Sequence, residues 1–358
     1  AGSPAPPRRG RRHPPLGRQG PPIFPMNCVV FGAGAWGTAM AIHLRRQGHT
    51  VTLVPRRLEQ ALAISDCREN RDYLPGHAID DSMQIGLEPA PALMDAELVF
   101  LACPSKGLSE LLARIGPAAK AARQRMAVSL IKGLDQATLR RPSEMIAEAF
   151  PGTPVATLSG PSNADEVAHG LPTAMVLAAE RDDDLLREVQ SAVSGPTLRV
   201  YTSSDLAGVE IGGTIKNVYA VGAGLCDGLG LGSNAKAALL TRGLQEMIRV
   251  GQAVGGRIET FLGLGGVGDL MATAHGPWSR NRSLGEELAK DAPGTLASLA
   301  RRKEAVEGHR ATETLTRLAK AKGIDAPILF CLHDIMYADL DPRAGVTALM
   351  TRDLRSES

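Results

Sequence analysis

Three glycines at a fixed spacing constrain the fold of this chain more than any other feature. Gly32, Gly34 and Gly37 directly follow an apolar run that is typical of a buried strand. A strand, the pattern G-x-G-x-x-G, a helix and a second strand within about 30 residues indicate a dinucleotide-binding fold. The expected elements are a strand over 28–31, a helix over 38–47 that ends before Gly48, and a strand over 51–54.

Each glycine of the motif has a purpose in such a fold. Gly32 allows a tight turn, Gly34 lets the backbone approach a pyrophosphate, and Gly37 lets the helix pack closely on the strand. The N–H groups and the dipole at the start of the helix then face negative charge. The alternative is a glycine-rich turn in another kind of α/β protein.

The residues after the second strand bear on the choice of cofactor. A site that prefers NAD usually has an acidic residue there for the ribose 2′-hydroxyl, whereas arginine accommodates the 2′-phosphate of NADP. This chain has Arg56 and Arg57 and no acid before Glu59. NADPH is therefore expected in preference to NADH, unless the two arginines only form a solvated basic edge.

The second half of the chain changes from alternating strands and helices to a helical pattern. Long helices are expected over 205–227 and 234–254, and the first contains several glycines. Each glycine costs up to about 1 kcal/mol relative to alanine inside a helix, so such a run suits a place where another backbone or a ligand comes close. The glycines lie at positions 208, 212, 213, 222 and 224, and the remaining strands are expected over 98–102, 127–131, 156–158, 173–177 and 197–201.

Three segments are expected along the chain. Residues 1–25 are a Pro/Arg-rich extension that should be disordered, 26–204 a dinucleotide-binding domain, and 205–358 a helical substrate and catalytic domain. The extension has five arginines and no acid, so subtracting it from the formal charge of +2 leaves −3 on the rest. A slightly acidic body argues against nucleic acid as a partner, and no apolar run is long enough for a transmembrane helix. Five scattered cysteines without a CxxC motif suit a reducing cytoplasm.

Eight short motifs follow one another in a fixed order. They are GAGAWGTA from Gly32, NRDYLP from Asn70, SLIKG from Ser129, SGPSNA from Ser159, GVEIGGTIKNVYA from Gly208, GGVGDLMAT from Gly265, SRNRS from Ser279 and VEG from Val306. In these motifs the chain resembles the bacterial NAD(P)-dependent glycerol-3-phosphate dehydrogenase family, from about Met26 to about Arg343. Several motifs in order are far more specific than one glycine loop.

The resemblance implies a fold, a reaction and a cellular setting. The fold is an α/β Rossmann-type N-terminal domain followed by an all-α C-terminal domain like the helical domain of 6-phosphogluconate dehydrogenase, with the site between them. The reaction is reversible hydride transfer between NAD(P)H and dihydroxyacetone phosphate, which supplies glycerol 3-phosphate for phospholipid synthesis in the cytoplasm. The resemblance also suggests a homodimer.

Lys216 matches the catalytic lysine of the family. An ammonium group donates a proton to the substrate oxygen during reduction and, once deprotonated, accepts it back during oxidation. The second role requires a lowered pKa, which partial burial and the ammonium of Lys132 would supply. The alternative is a lysine on a helix surface, although the surrounding residues are unusually apolar for one.

Two further motifs carry implied roles beside alternative ones. Asp269 is expected to begin a helix, and Thr273 lies on the same face four residues later, so the pair suits substrate hydroxyls or a helix cap. Arg280 and Asn281 match the positions that bind the substrate phosphate, whereas Arg282 is expected to be a solvated charge. Glu307 matches a cofactor contact or is a surface glutamate.

The implied substrate-binding positions are Lys132, Gly160, Ser162, Lys216, Asn217, Asp269, Thr273, Ser279, Arg280 and Asn281. The implied cofactor-binding positions are Gly32, Gly34, Ala35, Trp36, Gly37, Arg56, Arg57, Pro104, Lys132, Ala164, Arg280, Ala305 and Glu307.

Metal binding is not expected, and two other functions stay open. A related two-domain reductase, such as a β-hydroxyacid dehydrogenase or a ketopantoate reductase, would accept non-phosphorylated acids. A sensor of NADPH without turnover would be indifferent to Lys216→Ala. The histidines considered as metal ligands, whose spacing does not suit a metal, are His43, His49, His169, His275 and His309.

Overall fold

A computed structural model describes residues 24–299, 301, 306–354 and 356 of the chain. The expected disorder of residues 1–25 falls almost wholly outside this part. The cofactor position expected at Ala305 also lies outside the described residues.

All the strands of the described residues lie between Asn27 and Ser203. They are β1 (Asn27–Phe31), β2 (Thr50–Val54), β3 (Glu69–Asn70), β4 (Leu74–Ala78), β5 (Gln84–Ile85), β6 (Leu98–Leu101), β7 (Met126–Ser129), β8 (Val155–Ser159), β9 (Thr173–Ala179) and β10 (Leu198–Ser203). Eight of those described form one sheet in the order β10-β9-β8-β7-β6-β1-β2-β5, and β3 and β4 form a separate hairpin. From β5 to β8 the strands are parallel, in the 3-2-1-4-5-6 order of the doubly wound dinucleotide-binding fold. Strand β9 pairs antiparallel with β8.

Helices cover both faces of the sheet and predominate in the described residues after Ser203. They are α1 (Ala35–Arg46), α2 (Leu58–Cys67), α3 (Pro89–Met94), α4 (Leu108–Ala121), α5 (Pro142–Ala149), α6 (Ala164–His169), α7 (Asp184–Val193), α8 (Leu206–Gly228), α9 (Gly232–Gln252), α10 (Ile258–Phe261), α11 (Asp269–His275), α12 (Arg280–Lys290), α13 (Ala292–Leu299), α14 (Glu307–Ala321), α15 (Pro327–Tyr337) and α16 (Pro342–Met350). A single π-helical turn over Leu264–Gly268 leads into α11. Among the described helices, none combines the length and the low polarity needed to cross a bilayer.

The two parts of the chain have separate apolar cores. Central strands are buried on both faces, so Val30 and Phe100 belong to one core layer of the sheet and Val29 and Val99 to the opposite layer. The helices from α8 onward bury a third cluster that includes Tyr219 at its centre. These observations confirm a Rossmann-type domain followed by a helical domain, while the exact division between residues 204 and 205 stays a prediction.

Most expected elements are present with ends shifted by one to three residues, and two of these shifts have a local cause. Helix α1 begins at Ala35 rather than Thr38, because the turn is complete at Gly34 and the last motif glycine, Gly37, lies inside the first helical turn. Strand β7 ends at Ser129 rather than 131, where Ile131 N–H turns back to bond the Ser129 hydroxyl at 3.3 Å.

The glycines of α8 lie where other backbone segments come very close. A Cβ at Gly212 would stand 2.2 Å from the carbonyl oxygen of Gly265, in the π-helical turn. A Cβ at Gly224 would stand 1.9 Å from the carbonyl oxygen of Arg282, in α12. Close backbone packing, the reason given from sequence, therefore explains why this helix tolerates its glycines.

A buried carboxylate joins α8 to the start of α5. Glu210 accepts hydrogen bonds from the Ser143 backbone N–H at 2.9 Å and from the Ser143 hydroxyl at 2.6 Å. Arg141 lies 3.4 Å away. Burial raises the pKa of Glu210 to about 7, even though these hydrogen bonds and the arginine oppose the shift.

Candidate active site

The carboxyl ends of the central strands meet at one edge of the sheet. Phe31 at the end of β1 pairs with Leu101 at the end of β6, and Leu101 pairs with Ser129 at the end of β7. The loops after these strands therefore share that edge, which is where open α/β sheets bind ligands. They carry the glycine motif, Pro104 and Lys132.

The glycine loop leaves room for a ligand beside its backbone. Gly32 has φ +110°, and a Cβ there would lie 2.6 Å from the Ala102 carbonyl oxygen. A Cβ at Gly37 would lie 2.0 Å from the Gly32 oxygen, whereas no atom stands within 4 Å of the corresponding position at Gly34. No side chain caps the start of α1, and the buried indole N–H of Trp36 has no hydrogen-bond partner among the described residues. Open space and unused N–H groups fit a bound pyrophosphate.

Two residues outside the motif hold the glycine loop in place. The Ala33 carbonyl accepts hydrogen bonds from the Gln60 side chain at 2.7 Å and from the Asn70 side chain at 2.9 Å. Asn70 also donates to the Thr38 hydroxyl at 2.7 Å. Asn70 lies in one of the motifs, where no role was predicted for it, and no local feature of the sequence indicates Gln60.

Arg56 and Arg57 have different surroundings. Arg56 extends toward α4, where its guanidinium lies 2.7 Å from the Glu110 carboxylate, and both side chains are more than half exposed. Together with Gly32 and Pro104, Arg56 lines a small cleft beside the glycine loop. Arg57 is the exposed residue before α2. The acidic partner of Arg56 was missed because it lies 54 positions away in the sequence.

Lys216, Asp269 and Thr273 are brought together in the interior. The Lys216 ammonium lies 2.8 Å from Asp269 Oδ1 and donates to the Thr273 hydroxyl at 2.5 Å. Thr273 donates in turn to the Asp269 backbone carbonyl at 2.7 Å, as expected for two residues one helical turn apart. All three are at most 5% exposed, so Lys216 is not a surface lysine.

Lys132 completes this group from the sheet domain. Its ammonium lies 2.6 Å from Asp269 Oδ2 and donates to the Gly160 carbonyl at 3.0 Å. Ser162 donates its hydroxyl to the same carbonyl at 2.9 Å. One carboxylate is thus shared by two ammonium groups, one from each domain.

The charges of the group shift one another. Burial lowers the pKa of Lys216 to about 8; Asp269 opposes this shift and Lys132 adds to it. Burial disfavours ionisation of Asp269, but the two ammonium groups hold its pKa below the ordinary value. Lys216 therefore changes protonation state near neutral pH while Asp269 stays ionised. The burial is nearly complete, rather than partial as expected from the sequence.

A chain of amides lies at the start of α12. Asn281 donates to the Asn217 side-chain oxygen at 2.8 Å and accepts from the Gly308 backbone N–H at 2.8 Å. Ser279 caps the helix by accepting from the backbone N–H three residues on, and Arg280 is its exposed first residue. An anion beside Arg280 would meet a guanidinium and the positive end of a helix.

Glu307 is the first residue of α14 and faces the loops of the sheet domain. Burial raises its pKa, while Arg310, Arg280 and Lys106 and a hydrogen bond from Ser105 oppose that shift. Glu307 is only partly exposed, which argues against the alternative of a simple surface glutamate. Arg280 thus lies between the amide chain and the cofactor side.

The remaining residues predicted from the sequence lie at helix starts, in loops or at the surface. Ala35 and Ala164 begin α1 and α6, and Pro104 is an exposed loop residue. The expectation that Arg282 is a solvated charge is wrong, because its side chain is paired with Asp227 at 2.8 Å. His275 is exposed at the end of α11, where its ring contacts the Met271 carbonyl of the same helix at 3.0 Å.

Comparison with known proteins gives a consistent result. The model for the N-terminus of NAD-dependent glycerol-3-phosphate dehydrogenase matches residues 27–185, and the model for its C-terminus matches residues 205–347. A protein of Thermus thermophilus named glycerol-3-phosphate dehydrogenase, NAD(P)+, is 47% identical over 334 residues, which are 93% of this chain and 100% of that protein.

Solved structures of glycerol-3-phosphate dehydrogenase resemble this chain more closely than those of the related two-domain reductases do. The crystal structure of glycerol-3-phosphate dehydrogenase from Coxiella burnetii has a TM-score of 0.85 at 34% identity and covers 92% of this chain and 99% of that one. A ketopantoate reductase from Ralstonia eutropha has a TM-score of 0.58 at 19% identity, covering 89% of this chain and 99% of that one. The second likeness concerns the fold alone.

Proposed function

The chain belongs to the NAD-dependent glycerol-3-phosphate dehydrogenase family, and on this premise we propose that it catalyses the reversible reduction of dihydroxyacetone phosphate to sn-glycerol 3-phosphate with NADPH or NADH. The observation that carries the proposal is the buried ammonium of Lys216. It lies against Asp269 and Thr273 and has a pKa of about 8, so it can give or take a proton near neutral pH.

Lys216 acts on the oxygen of the substrate. In the reducing direction the carbonyl oxygen gains negative charge, and the Lys216 ammonium stabilises it and gives it a proton. In the oxidising direction the neutral amine takes the proton from the hydroxyl. A sensor without turnover would have no need for a lysine whose pKa is brought close to neutral.

Asp269 and Lys132 set the state of Lys216. The Asp269 carboxylate orients both ammonium groups, and Lys132 keeps the local charge positive. A positive site stabilises an oxygen that becomes an anion, because the interior is a poor screen for charge. Thr273 fixes the lysine rotamer by accepting its hydrogen bond.

The start of α12 suits the phosphate of the substrate. Arg280 offers two parallel N–H donors, and the Asn281 amide is already oriented by Asn217 and Gly308. A carboxylic acid substrate such as a 2-keto acid needs a carboxylate grip but no phosphate site. This arrangement favours the phosphorylated ketone over the acids used by β-hydroxyacid dehydrogenases and ketopantoate reductases.

The glycine loop and the facing side chains would hold the cofactor. Gly34 and the start of α1 would receive the pyrophosphate, and Arg56 would lie near the adenosine ribose. Glu307 and Arg280 would approach from the helical domain. A nicotinamide bound there would supply or take up the hydride. Both NADPH and NADH are accepted, with NADPH favoured by Arg56 and by the lack of an acid at the end of β2.

The setting of the enzyme follows from its chemistry. All five cysteines are free thiols, as in a reducing compartment, which supports the cytoplasm. Glycerol 3-phosphate is the backbone of glycerophospholipids, so we assign the product to their synthesis. A homodimer and a domain boundary between residues 204 and 205 complete the proposal.

The test is the loss of reduced-nicotinamide absorbance. Dihydroxyacetone phosphate and plain dihydroxyacetone are each mixed with NADPH or NADH, and only the phosphorylated ketone should be reduced rapidly. Lys216→Ala should lower turnover by about 10² or more and leave the Kd for NADPH nearly unchanged. Lys290→Ala, on an exposed part of α12, is the matched control. Turnover like that of the unaltered protein in Lys216→Ala, or equal use of a 2-keto acid, would overturn the proposal.

A further inference from the structure

A cluster of two imidazoles and a carboxylate lies where the β3–β4 hairpin packs on α6. His77 comes from β4, and Asp165 and His169 lie one turn apart on α6. The three side chains offer ligand atoms that all lie within 4.8 Å of one another. We propose that His77, Asp165 and His169 bind a divalent transition-metal ion of the Zn²⁺ class.

The distances within the cluster suit a shared ion. His77 Nε2 lies 2.8 Å from Asp165 Oδ1, and His169 Nδ1 lies 3.4 Å from Asp165 Oδ2. With metal–ligand bonds of about 2.0–2.2 Å, ligand atoms of a tetrahedral site are about 3.3–3.6 Å apart. The His169–Asp165 contact already matches this separation, and the His77–Asp165 contact would have to lengthen. The carboxylate already faces both imidazoles, so an ion needs only side-chain adjustments to replace these contacts. Coordination through His169 Nδ1 would also replace its 3.0 Å bond to the Asp165 carbonyl.

The surroundings hold the ligands in position. The His77 side chain is only 5% exposed, and its ring packs edge-on against the ring of His169 with centroids 4.3 Å apart. Asp165 and His169 are more than half exposed, which leaves a path for an ion and for water as further ligands. A spacing of four residues on one helix puts both side chains on the same face.

The ligand types select the kind of ion. Two imidazoles and one carboxylate favour Zn²⁺, Ni²⁺, Co²⁺ or Cu²⁺, whereas Mg²⁺ and Ca²⁺ prefer oxygen ligands alone. The spacing of His169 from the other histidines considered above does not suggest a metal site, and His77 was not among them. The ligands come from positions 88 residues apart, and only the packing of the hairpin on α6 unites them.

A bound ion would tie two segments that flank the cofactor loop. The β3–β4 hairpin contains Asn70, which holds the Ala33 carbonyl, and α6 follows the loop that contains Gly160. The ion would thus brace the hairpin against the helix without entering the hydride-transfer site. Its expected effect is on stability, not on the chemical step.

Calorimetric titration with ZnCl₂ tests this site directly. The full chain without a tag, freed of metal with a chelator, should bind one ion per chain. His77→Gln and His169→Gln should each weaken binding at least about tenfold, since loss of even an outer-shell partner costs 10–100-fold. His333→Gln is the matched control, because His333 sits 3.0 Å from a single carboxylate, that of Asp334, and is not part of the described three-ligand group.

Three further measurements guard against misfolding and against zinc at another site. Circular dichroism and turnover of the metal-free variants should match those of the unaltered protein. Co²⁺ should give a visible ligand-field spectrum that both variants lose and His333→Gln keeps. The proposal would be overturned if the unaltered protein did not bind Zn²⁺, or if His77→Gln and His169→Gln bound it as tightly as the unaltered protein does.

Discussion

Replacing Asp269 by asparagine isolates the electrostatic control of Lys216. The substitution keeps the size of the side chain and removes its charge. Burial and the ammonium of Lys132 both lower the pKa of Lys216, and Asp269 is the group that opposes them. Without the carboxylate the pKa must therefore fall below its present value of about 8.

The size of the fall can be worked from the 2.8 Å separation of the Lys216 ammonium and Asp269 Oδ1. At an effective dielectric constant of about 20, two unit charges at this distance attract by about 6 kcal/mol. That energy corresponds to about four pKa units, an upper figure because the asparagine dipole and entering water replace part of the interaction. A fall of at least about one unit is expected.

The assay is the pH dependence of turnover in the two directions. In the unaltered enzyme the reduction of dihydroxyacetone phosphate should decline above about pH 8, and the oxidation of glycerol 3-phosphate should rise through the same pH. In Asp269→Asn both limbs should move to lower pH. Asp227→Asn is the control, because Asp227 also lies between two cations but outside the site. Unmoved limbs, or a shift to higher pH, would refute this electrostatic reasoning.

Three other predictions test separate parts of the molecule. Arg280→Ala should raise the KM for dihydroxyacetone phosphate by about tenfold or more with little change in NADPH affinity, because a bidentate phosphate contact is lost; an equal loss of cofactor affinity would assign Arg280 to the cofactor. Glu110→Gln should raise the kcat/KM ratio of NADPH to NADH by about tenfold, since no carboxylate then competes for Arg56; an unchanged ratio would contradict this competition. Glu210 should make the protein less stable as pH rises from about 4.5 to 7, by up to about 3 kcal/mol, because burial raises its folded-state pKa to about 7 and the folded chain holds the proton more tightly. Urea unfolding at several pH values should show a smaller decline in Glu210→Gln, and equal slopes would count against the assignment.

The glycine loop could be predicted because its signal is local. Gly32, Gly34 and Gly37 act through their own backbone and through strands that adjoin them in the sequence. Parallel strands end at one edge, so the approach of Lys132 to the cofactor loop also follows from the order of the elements. The family resemblance then supplied Lys216 and Asp269, whose roles remain predictions until they are measured.

The rest of the site depends on contacts between distant segments. Lys132 and Asp269 are 137 residues apart, and they meet because α8 and the π-helical turn before α11 pack against β8 and β9. Glu110 was missed because nothing near Arg56 in the sequence announces it. Arg282 was likewise expected to be solvated because its partner, Asp227 on α8, is distant in the sequence.

The close approach at Gly212 sets a distance that matters elsewhere. Gly212 lies one helical turn before Lys216, and the backbone that touches it, at Gly265, runs four residues later into Asp269. The distance between Asp269 and Lys216 is therefore set by contact between two backbone segments, not by side chains that can repack. Substitutions of core residues around the site should therefore have little effect on this distance. A single added methyl group at position 212 would instead wedge the two segments apart and move the carboxylate away from its lysine.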